Sequence, residues 1–322
     1  MTGLLELENL SVRFNVGGSL FGRFGNSSTT LTAVDSVTFS AEPGRSIGIV
    51  GESGCGKSTL AKALIGLVSY EGVLRFDGAE LKARRTKQLR RQIQMVFQDP
   101  GSSLNPALTP RQTLSELLKI HEMVPVDAID DRCAELIDLV ELPARVLDVQ
   151  PRSLSGGQRQ RIGLARALAL EPSVLIADES VAALDVSVQA SILNLISDLK
   201  EELNLTLLFI SHDLAVIRHM ADEVVVMYLG GMVEHGSVAE VFDDPQHPYT
   251  QALLASAPRL KRDLTDETPI IGEPPSPLDL PPGCRFAGRC PQAFDLCHTE
   301  RPPLYSHDHG SAACFLLSDS NE

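Results

Sequence analysis

Residues Gly51-Glu52-Ser53-Gly54-Cys55-Gly56-Lys57-Ser58-Thr59 fit the pattern G-x-x-x-x-G-K-[ST]. In that pattern glycines let backbone N–H groups turn inward around phosphates, the lysine reaches the outer phosphates, and the following hydroxyl ligates Mg²⁺. The chemistry expected of Gly51, Ser53, Gly54, Cys55, Gly56, Lys57, Ser58 and Thr59 is therefore the cradling of a nucleotide such as ATP. Residues 47–50 form an apolar run that leads into the loop, and 60–67 read as a helix whose positive dipole end adds to the anion site.

Four further stretches carry groups that such a loop could use. The apolar run 174–177 ends in Asp178-Glu179. Of two carboxylates at a strand end, the first can hold Mg²⁺ through its water shell, and the second can take a proton from attacking water. Exposed strand-end carboxylates are common, so this pair gains its meaning from the phosphate loop upstream. Residues 93–97 deliver Gln98 to a loop, where a side-chain amide can ligand Mg²⁺ or orient water. Ser155-Gly156-Gly157-Gln158 opens a segment of strong helix formers; Ser155 can cap it and the glycines permit close approach, which makes a second phosphate-ready N-terminus. The run 206–210 ends in Ser211-His212-Asp213, at the carboxyl end of a strand, where open α/β sheets carry their ligand chemistry; a γ-phosphate contact is expected of His212. Phe14 could stack on an adenine or pack in the core.

The elements that must position these groups follow from the pattern of apolar residues. Residues 4–14 and 31–39 read as β-rich, and the Gly-, Ser- and Asn-rich stretch 15–30 between them as a loop or hairpin insertion. A short strand and turn follow at 72–78. Residues 82–91 hold six basic side chains in ten positions; without interleaved aromatics this is a solvated helix face. Residues 107–150 read as mostly helical, with Leu114, Leu117, Leu118, Leu136, Leu139 and Val140 as apolar positions and breaks at Pro125 and Pro143, which makes a helical subdomain inserted into the nucleotide domain. Val188, Ile192, Leu195, Ile196 and Leu199 share one helix face, and 224–228 with 232–234 form a closing strand pair.

With 322 residues the chain holds one large α/β domain and something smaller. A net charge of −14, from 42 acidic and 28 basic residues, argues against nucleic acid as the main partner. No run of 18 apolar residues exists, and Glu6 and Glu8 stand where a signal segment would be apolar. A cytosolic chain that reaches a membrane only through partners is expected.

From Pro245 onward the composition changes: 12 of the 20 prolines fall in the last 78 residues, along with Cys284, Cys290, Cys297 and Cys314 in the spacing C-x5-C-x6-C-x16-C. An appendage without a large core needs another means of cohesion. Four thiolates can hold a 4Fe-4S cluster or Zn²⁺, although the tight C-x2-4-C pairs usual for zinc are absent. Free structural cysteines are the third reading, and His298, His307 and His309 keep a mixed site open. Cys55 and Cys133 do not read as metal ligands.

Taken in order, GESGCGKST, Gln98, LSGGQ, Asp178-Glu179, Ala183-Leu184-Asp185 and His212 resemble the ATP-binding cassette of ABC transporters over about residues 4–242. The resemblance implies an α/β P-loop NTPase fold: a RecA-like core with an antiparallel β subdomain and an inserted helical subdomain (about 99–168) over 1–244, followed by an irregular Cys/Pro-rich extension over 245–322. It also implies that Gln98 is the glutamine-loop residue, Ser155 to Gln158 the signature, Asp178 the Mg²⁺-linked aspartate, Glu179 the general base, Asp185 a dimer contact and His212 the switch histidine. Gln98-Asp99-Pro100, Ser103-Leu104-Asn105-Pro106, the segment His247-Pro248-Tyr249-Thr250-Gln251-Ala252-Leu253-Leu254 and the cysteine-bearing tail are similar to the oligopeptide/dipeptide importer ATPases, and the insertion before Leu31 to the second, F-type ATPase of those pairs.

That subfamily implies ATP and Mg²⁺ as cofactors, and a 4Fe-4S cluster in the tail, with Zn²⁺ as the alternative. It implies a second ATPase subunit in a heterodimer, two transmembrane permease subunits and an extracytoplasmic peptide-binding protein as partners, and a peripheral location on the cytoplasmic face of the bacterial inner membrane. Ser180 stands where the family usually has proline; both carboxylates survive, so hydrolysis is still expected. The same role with nickel, glutathione, an opine or a sugar as cargo remains open. Cassettes of DNA repair usually carry long coiled coils, whereas only 55 residues separate Gln98 from Leu154, and a translation factor would carry two cassettes.

Overall fold

The computed structural model describes residues 3–16, 29–82, 85–97, 104–179, 185–256, 272–307 and 310–321. They form two compact units, one of Met1–Ala41, Ile47–Ala83 and Ser211–Glu322, the other of Glu42–Ser46 and Arg84–Ile210.

The first unit begins with β1 (Leu5–Val16) and β2 (Thr29–Ala41), paired antiparallel. Leu5, Leu7, Leu10 and Val12 of β1 and Val34, Val37 and Phe39 of β2 are buried. The pairing runs past the apolar positions to Asn15↔Thr30 and Val16↔Thr29, because an antiparallel ladder is extended by backbone hydrogen bonds whatever the side chains. The ends of the stretch expected to be a loop or hairpin are thus strand, and 17–28 lie outside the described residues. Next come β3 (Ser46–Val50), buried along its whole length, and α1 (Lys57–Leu64). β4 (Glu71–Phe76) and β5 (Ala79–Glu80) complete a four-stranded sheet in the order β2-β1-β4-β5.

The second unit opens on α2 (Lys87–Gln92), capped by the Thr86 hydroxyl and without a buried residue, the solvated face that the basic stretch predicts. Arg85, just ahead of it, is buried. Then follow β6 (Ile93–Val96), α3 (Pro110–His121), α4 (Ile129–Leu139), α5 (Gly156–Leu168), β7 (Val174–Asp178), α6 (Val186–Leu203) and β8 (Thr206–Ile210). β6, β7 and β8 pair in parallel. β7 and β8 are buried at every position, as parallel strands covered on both faces must be. α3 starts at a capping box between Thr109 and Gln112, with Pro110 as its first residue, and packs on α4; Leu114 and Leu118 of α3 and Leu136 and Ile137 of α4 are buried.

The chain then returns to the first unit with α7 (Leu214–Met220), β9 (Glu223–Tyr228), β10 (Gly231–Ser237), α8 (Val238–Asp243), α9 (Pro248–Ala255), α10 (Asp295–Thr299), β11 (Tyr305–His307) and β12 (Gly310–Ala312). β9 runs parallel to β3, and β10 folds back on it as the expected strand pair. The tail contributes the hairpin β11–β12, with Ala312 opposite Glu234 on β10, so a sheet edge that would otherwise be open is covered. Asp35 on β2 receives Arg285, and Arg301 at 2.6 Å, both from the tail. Among the described residues no helix is long and apolar enough to cross a membrane. The α/β class, the antiparallel sheet and the helices between β6 and β7 are those the sequence predicts.

Candidate functional site

The nine-residue loop leaves the end of β3 in a conformation that two glycines make possible. Gly51 has φ 146°, and a Cβ there would lie 2.1 Å from the Met227 carbonyl oxygen; Gly56 has φ 107°, and its Cβ would lie 2.2 Å from the Ala33 oxygen. Both obstacles are backbone, so no side chain fits. The loop is pinned by the Gly230 N–H, which donates to the Cys55 oxygen at 2.8 Å, while the Gly230 oxygen accepts from the Asp35 N–H at 2.8 Å. Lys57, 5% exposed, donates from Nζ to the Gly51 oxygen at 2.8 Å and the Glu52 oxygen at 3.0 Å. Ser58 and Thr59 are half-buried in the first turn of α1, and Ser53 and Gly54 are exposed at the loop's tip. Burial pushes the Cys55 thiol up, against the opposing pull of Lys57, so it lines the loop as a neutral group.

Two other expected residues lie in the same unit. His212 is exposed and is fixed by its neighbours. The Ser211 N–H donates to the Ile49 oxygen of β3 at 3.3 Å, and the Asp213 carboxylate caps α7 through the Ala215 and Val216 N–H groups at 2.9 and 3.4 Å. Phe14 lies on β1 opposite Leu31 and is 37% exposed, which keeps its ring out of the core.

In the second unit Asp178 is 4% exposed and ends β7, paired with Ile210 of β8. Glu179 follows with φ 42°, in the left-handed region that costs a non-glycine residue free energy; its N–H donates to the Ile210 oxygen at 2.9 Å. That bond ties the Glu179 backbone to the end of β8. Ser155 and Gln158 form a capping box on α5: the Ser155 hydroxyl accepts from the Gln158 N–H at 3.2 Å, and the Gln158 side-chain Oε1 accepts from the Ser155 N–H at 3.0 Å. A Cβ on Gly157 would come within 2.6 Å of Val188 on α6, so the glycine permits the two helices' close approach, and Gly156 beside it is half-buried. Asp185 is exposed at the start of α6 and its side chain makes no capping bond. Gln98, Ser180, Ala183 and Leu184 lie outside the described residues.

Sequence reading gave no role to three residues of the first unit that prove to be joined. Glu52, second in the phosphate loop, donates its N–H to the Tyr249 hydroxyl at 2.9 Å. Its carboxylate takes Arg289 in a two-pronged ion pair at 2.9 and 3.1 Å. Arg289 also donates to the Tyr228 hydroxyl at 3.1 Å and lies over the rings of Tyr228 and Phe286, which with Tyr249 form an aromatic cluster. Tyr249 is fully buried. The segment His247-Pro248-Tyr249 is what aims it: the His247 Nδ1 accepts the Tyr249 N–H at 3.0 Å and caps α9. Burial holds the His247 imidazole down at about 3, so it is neutral, as an acceptor must be.

The four tail cysteines come together. Cys284, Cys290, Cys297 and Cys314 line one small cavity whose other walls include Phe286, Pro302, Phe315 and Leu316. Burial, with neighbouring thiols adding to it, pushes Cys314 up to about 11 and raises Cys284 and Cys290. Thiols are the donor type that soft metals and iron–sulfur clusters take. As they stand, no three His, Cys, Asp or Glu side chains among the described residues are set to hold a metal ion. His298 is exposed at α10, and His309 lies outside the described residues.

Comparison with known proteins gives one consistent answer. The ABC transporter family model matches residues 34–182, and the model for the C-terminal region of oligopeptide/dipeptide transporters matches 233–297. The chain is 46% identical over 307 residues to the oligopeptide transport ATP-binding protein AppF of Bacillus subtilis, covering 93% of this chain and 92% of that one. It is 46% identical over 290 residues to the dipeptide transport ATP-binding protein DppF of Escherichia coli, covering 88% and 87%. Among solved structures, the ATP-binding cassette MJ0796, dimeric in a post-hydrolysis state with ADP and Pi, superposes with a TM-score of 0.62 at 27% identity over 73% of this chain and 98% of that one. CbiO1 from Clostridium perfringens does so with 0.64 at 28% identity, over 76% and 92%.

Proposed function

Because the chain belongs to the ABC transporter ATPases, we propose that it is the ATP-hydrolysing, energy-coupling subunit of an importer of di- and oligopeptides. The observation that carries this reading is a likeness to peptide transport ATP-binding proteins that runs through both the cassette and the tail. In this reading the cassette covers 1–244 and the extension 245–322. The chain pairs with a second, different ATPase subunit and docks on two permease subunits at the cytoplasmic face of the inner membrane, supplied by an extracytoplasmic peptide-binding protein.

Lys57 and the loop amides between Gly51 and Thr59, other than that of Glu52, which is held by Tyr249, hold the phosphates. Ser58, Asp178 and Gln98 hold Mg²⁺, which supplies charge neutralisation on the phosphate oxygens. Glu179 accepts the proton of the attacking water, His212 contacts the γ-phosphate, and Phe14 stacks on the adenine. The strained φ of Glu179 supports its role, since such strain concentrates where a side chain must be aimed. Ser155 to Gln158 serve the partner's nucleotide, and Asp185 meets the partner. The test is ATP turnover of the assembled complex. Binding protein loaded with peptide is expected to raise it; stimulation instead by nickel, glutathione, an opine or a sugar would overturn the peptide assignment.

The convergence of four thiols on one apolar-walled cavity supports the tail as the seat of a 4Fe-4S cluster held by Cys284, Cys290, Cys297 and Cys314. Such a group would supply a cross-link among tail segments that share little core. Anaerobically purified protein is expected to be brown, to contain iron and sulfide, and to bleach on reduction. A colourless protein with stoichiometric zinc would contradict this.

A further inference from the structure

We infer that Arg289 and Tyr249, both in the C-terminal extension, are positioning residues of the ATPase site, and that they set its affinity for nucleotide by holding and neutralising Glu52. The inference rests on the reading of Gly51 to Thr59 as the phosphate loop.

A carboxylate in a loop built for phosphates is a liability, because like charges repel and a partly buried pair is poorly screened. Glu52 is such a group, and the structure offsets it. The Arg289 guanidinium meets the Glu52 carboxylate with both prongs, its side chain 8% exposed against 25% for Glu52. A forked, charge-assisted pair fixes direction as well as charge. The backbone of Glu52 is held on both sides: its N–H by the Tyr249 hydroxyl, its carbonyl by Lys57 Nζ. Two of these three ties come from the tail, across 197 and 237 residues of chain. The third belongs to the lysine that must be available to the phosphates, and the Cys55 N–H also donates to the Glu52 oxygen at 3.2 Å. Removing the tail's ties therefore leaves an uncompensated negative charge in the loop and an amide without its acceptor.

Neither tail residue touches the reacting atoms in this account, so the effect falls on binding shared by ground and transition states: KM for ATP changes and kcat does not. In the full-length chain assembled with its membrane subunits, Arg289→Met is expected to raise the KM for MgATP about 10-fold with kcat within about twofold. Tyr249→Phe, which orphans the Glu52 N–H, is expected to raise KM about fivefold. The decisive arm is rescue. The double variant Glu52→Gln/Arg289→Met is expected to return KM to within about threefold of wild type, a coupling that a merely structural arginine would not produce.

An unchanged KM in Arg289→Met, or a double variant no better than the single, would overturn the inference. Should Arg289→Met not accumulate, Glu52→Gln alone decides: it removes the charge with the tail intact, so KM should hold or fall, and a rise above about threefold would mean that the carboxylate serves the nucleotide directly. Direct titration of the wild-type complex with MgATP separates the two readings. Failure of wild type to bind would sink the phosphate-loop reading itself, whereas normal binding with one shared KM across all variants would sink only this inference.

Discussion

Glu179→Gln is expected to bind MgATP within about threefold of wild type and to turn it over about 10²- to 10⁴-fold more slowly, the range a positioned general base supplies. The substitution is nearly isosteric and keeps the side chain's hydrogen-bonding reach, but an amide cannot accept the water's proton. Its local setting is expected to survive. The residue's φ of 42° is imposed by the backbone, and the bond from its N–H to the Ile210 oxygen does not involve the side chain. Asp178 beside it, 4% exposed on a fully buried strand, is expected to stay in place, which leaves its proposed Mg²⁺ contact untouched. Turnover within about threefold of wild type in the assembled complex would remove Glu179 from the role of base. A loss of binding equal to the loss of turnover would show a folding or binding defect instead.

Lys57→Ala is expected to weaken MgATP binding at least about 100-fold, which corresponds to about 2.7 kcal/mol and lies within the range for removing one member of a buried charge-assisted pair. The ammonium group is held against two loop carbonyls, those of Gly51 and Glu52. It is buried at the start of α1, where the loop's amides and the helix dipole favour an anion. The same bonds mean that alanine also removes a donor from each of those carbonyls, although the Glu52 oxygen keeps the Cys55 N–H at 3.2 Å, so thermal unfolding should be followed alongside. Arg289, Tyr249 and the glycine geometry stay intact, which should keep the loop close to its native path. Binding within about threefold of wild type in a folded Lys57→Ala protein would contradict the phosphate-loop assignment.

The chemistry was more legible in the sequence than the means of holding it. Short motifs such as Gly51 to Thr59 and Asp178-Glu179 announce themselves because backbone geometry and ligand chemistry restrict residue type at fixed spacing. The strands that carry them were legible too, since β7 and β8 are continuous apolar runs. The hairpin of β1 and β2 ran further than its apolar pattern, because ladder hydrogen bonds need no apolar side chain. The three-residue strands β11 and β12 are too short to carry an alternation; nothing in their side chains announced that they would pair with β10. Spacing suggested that the four cysteines belong together, and the structure brings them to one cavity. The tie from Arg289 to Glu52 left no such mark. Its partners stand 237 residues apart, and an arginine next to a cysteine has no pattern of its own. His247 and Tyr249 stood in a recognisable segment, yet only the structure reveals what the tyrosine's hydroxyl meets.

The central claim is that this chain couples ATP hydrolysis to peptide import, and its most direct test is the peptide-stimulated turnover of the complex purified with its own permease subunits, partner ATPase and binding protein. Wild-type complex should hydrolyse MgATP faster when the binding protein carries peptide, and the complex with Glu179→Gln in this chain should lose most of that increment while still binding nucleotide. A complex whose turnover ignores peptide and answers to another cargo, or in which Glu179→Gln leaves the increment intact, would contradict the account.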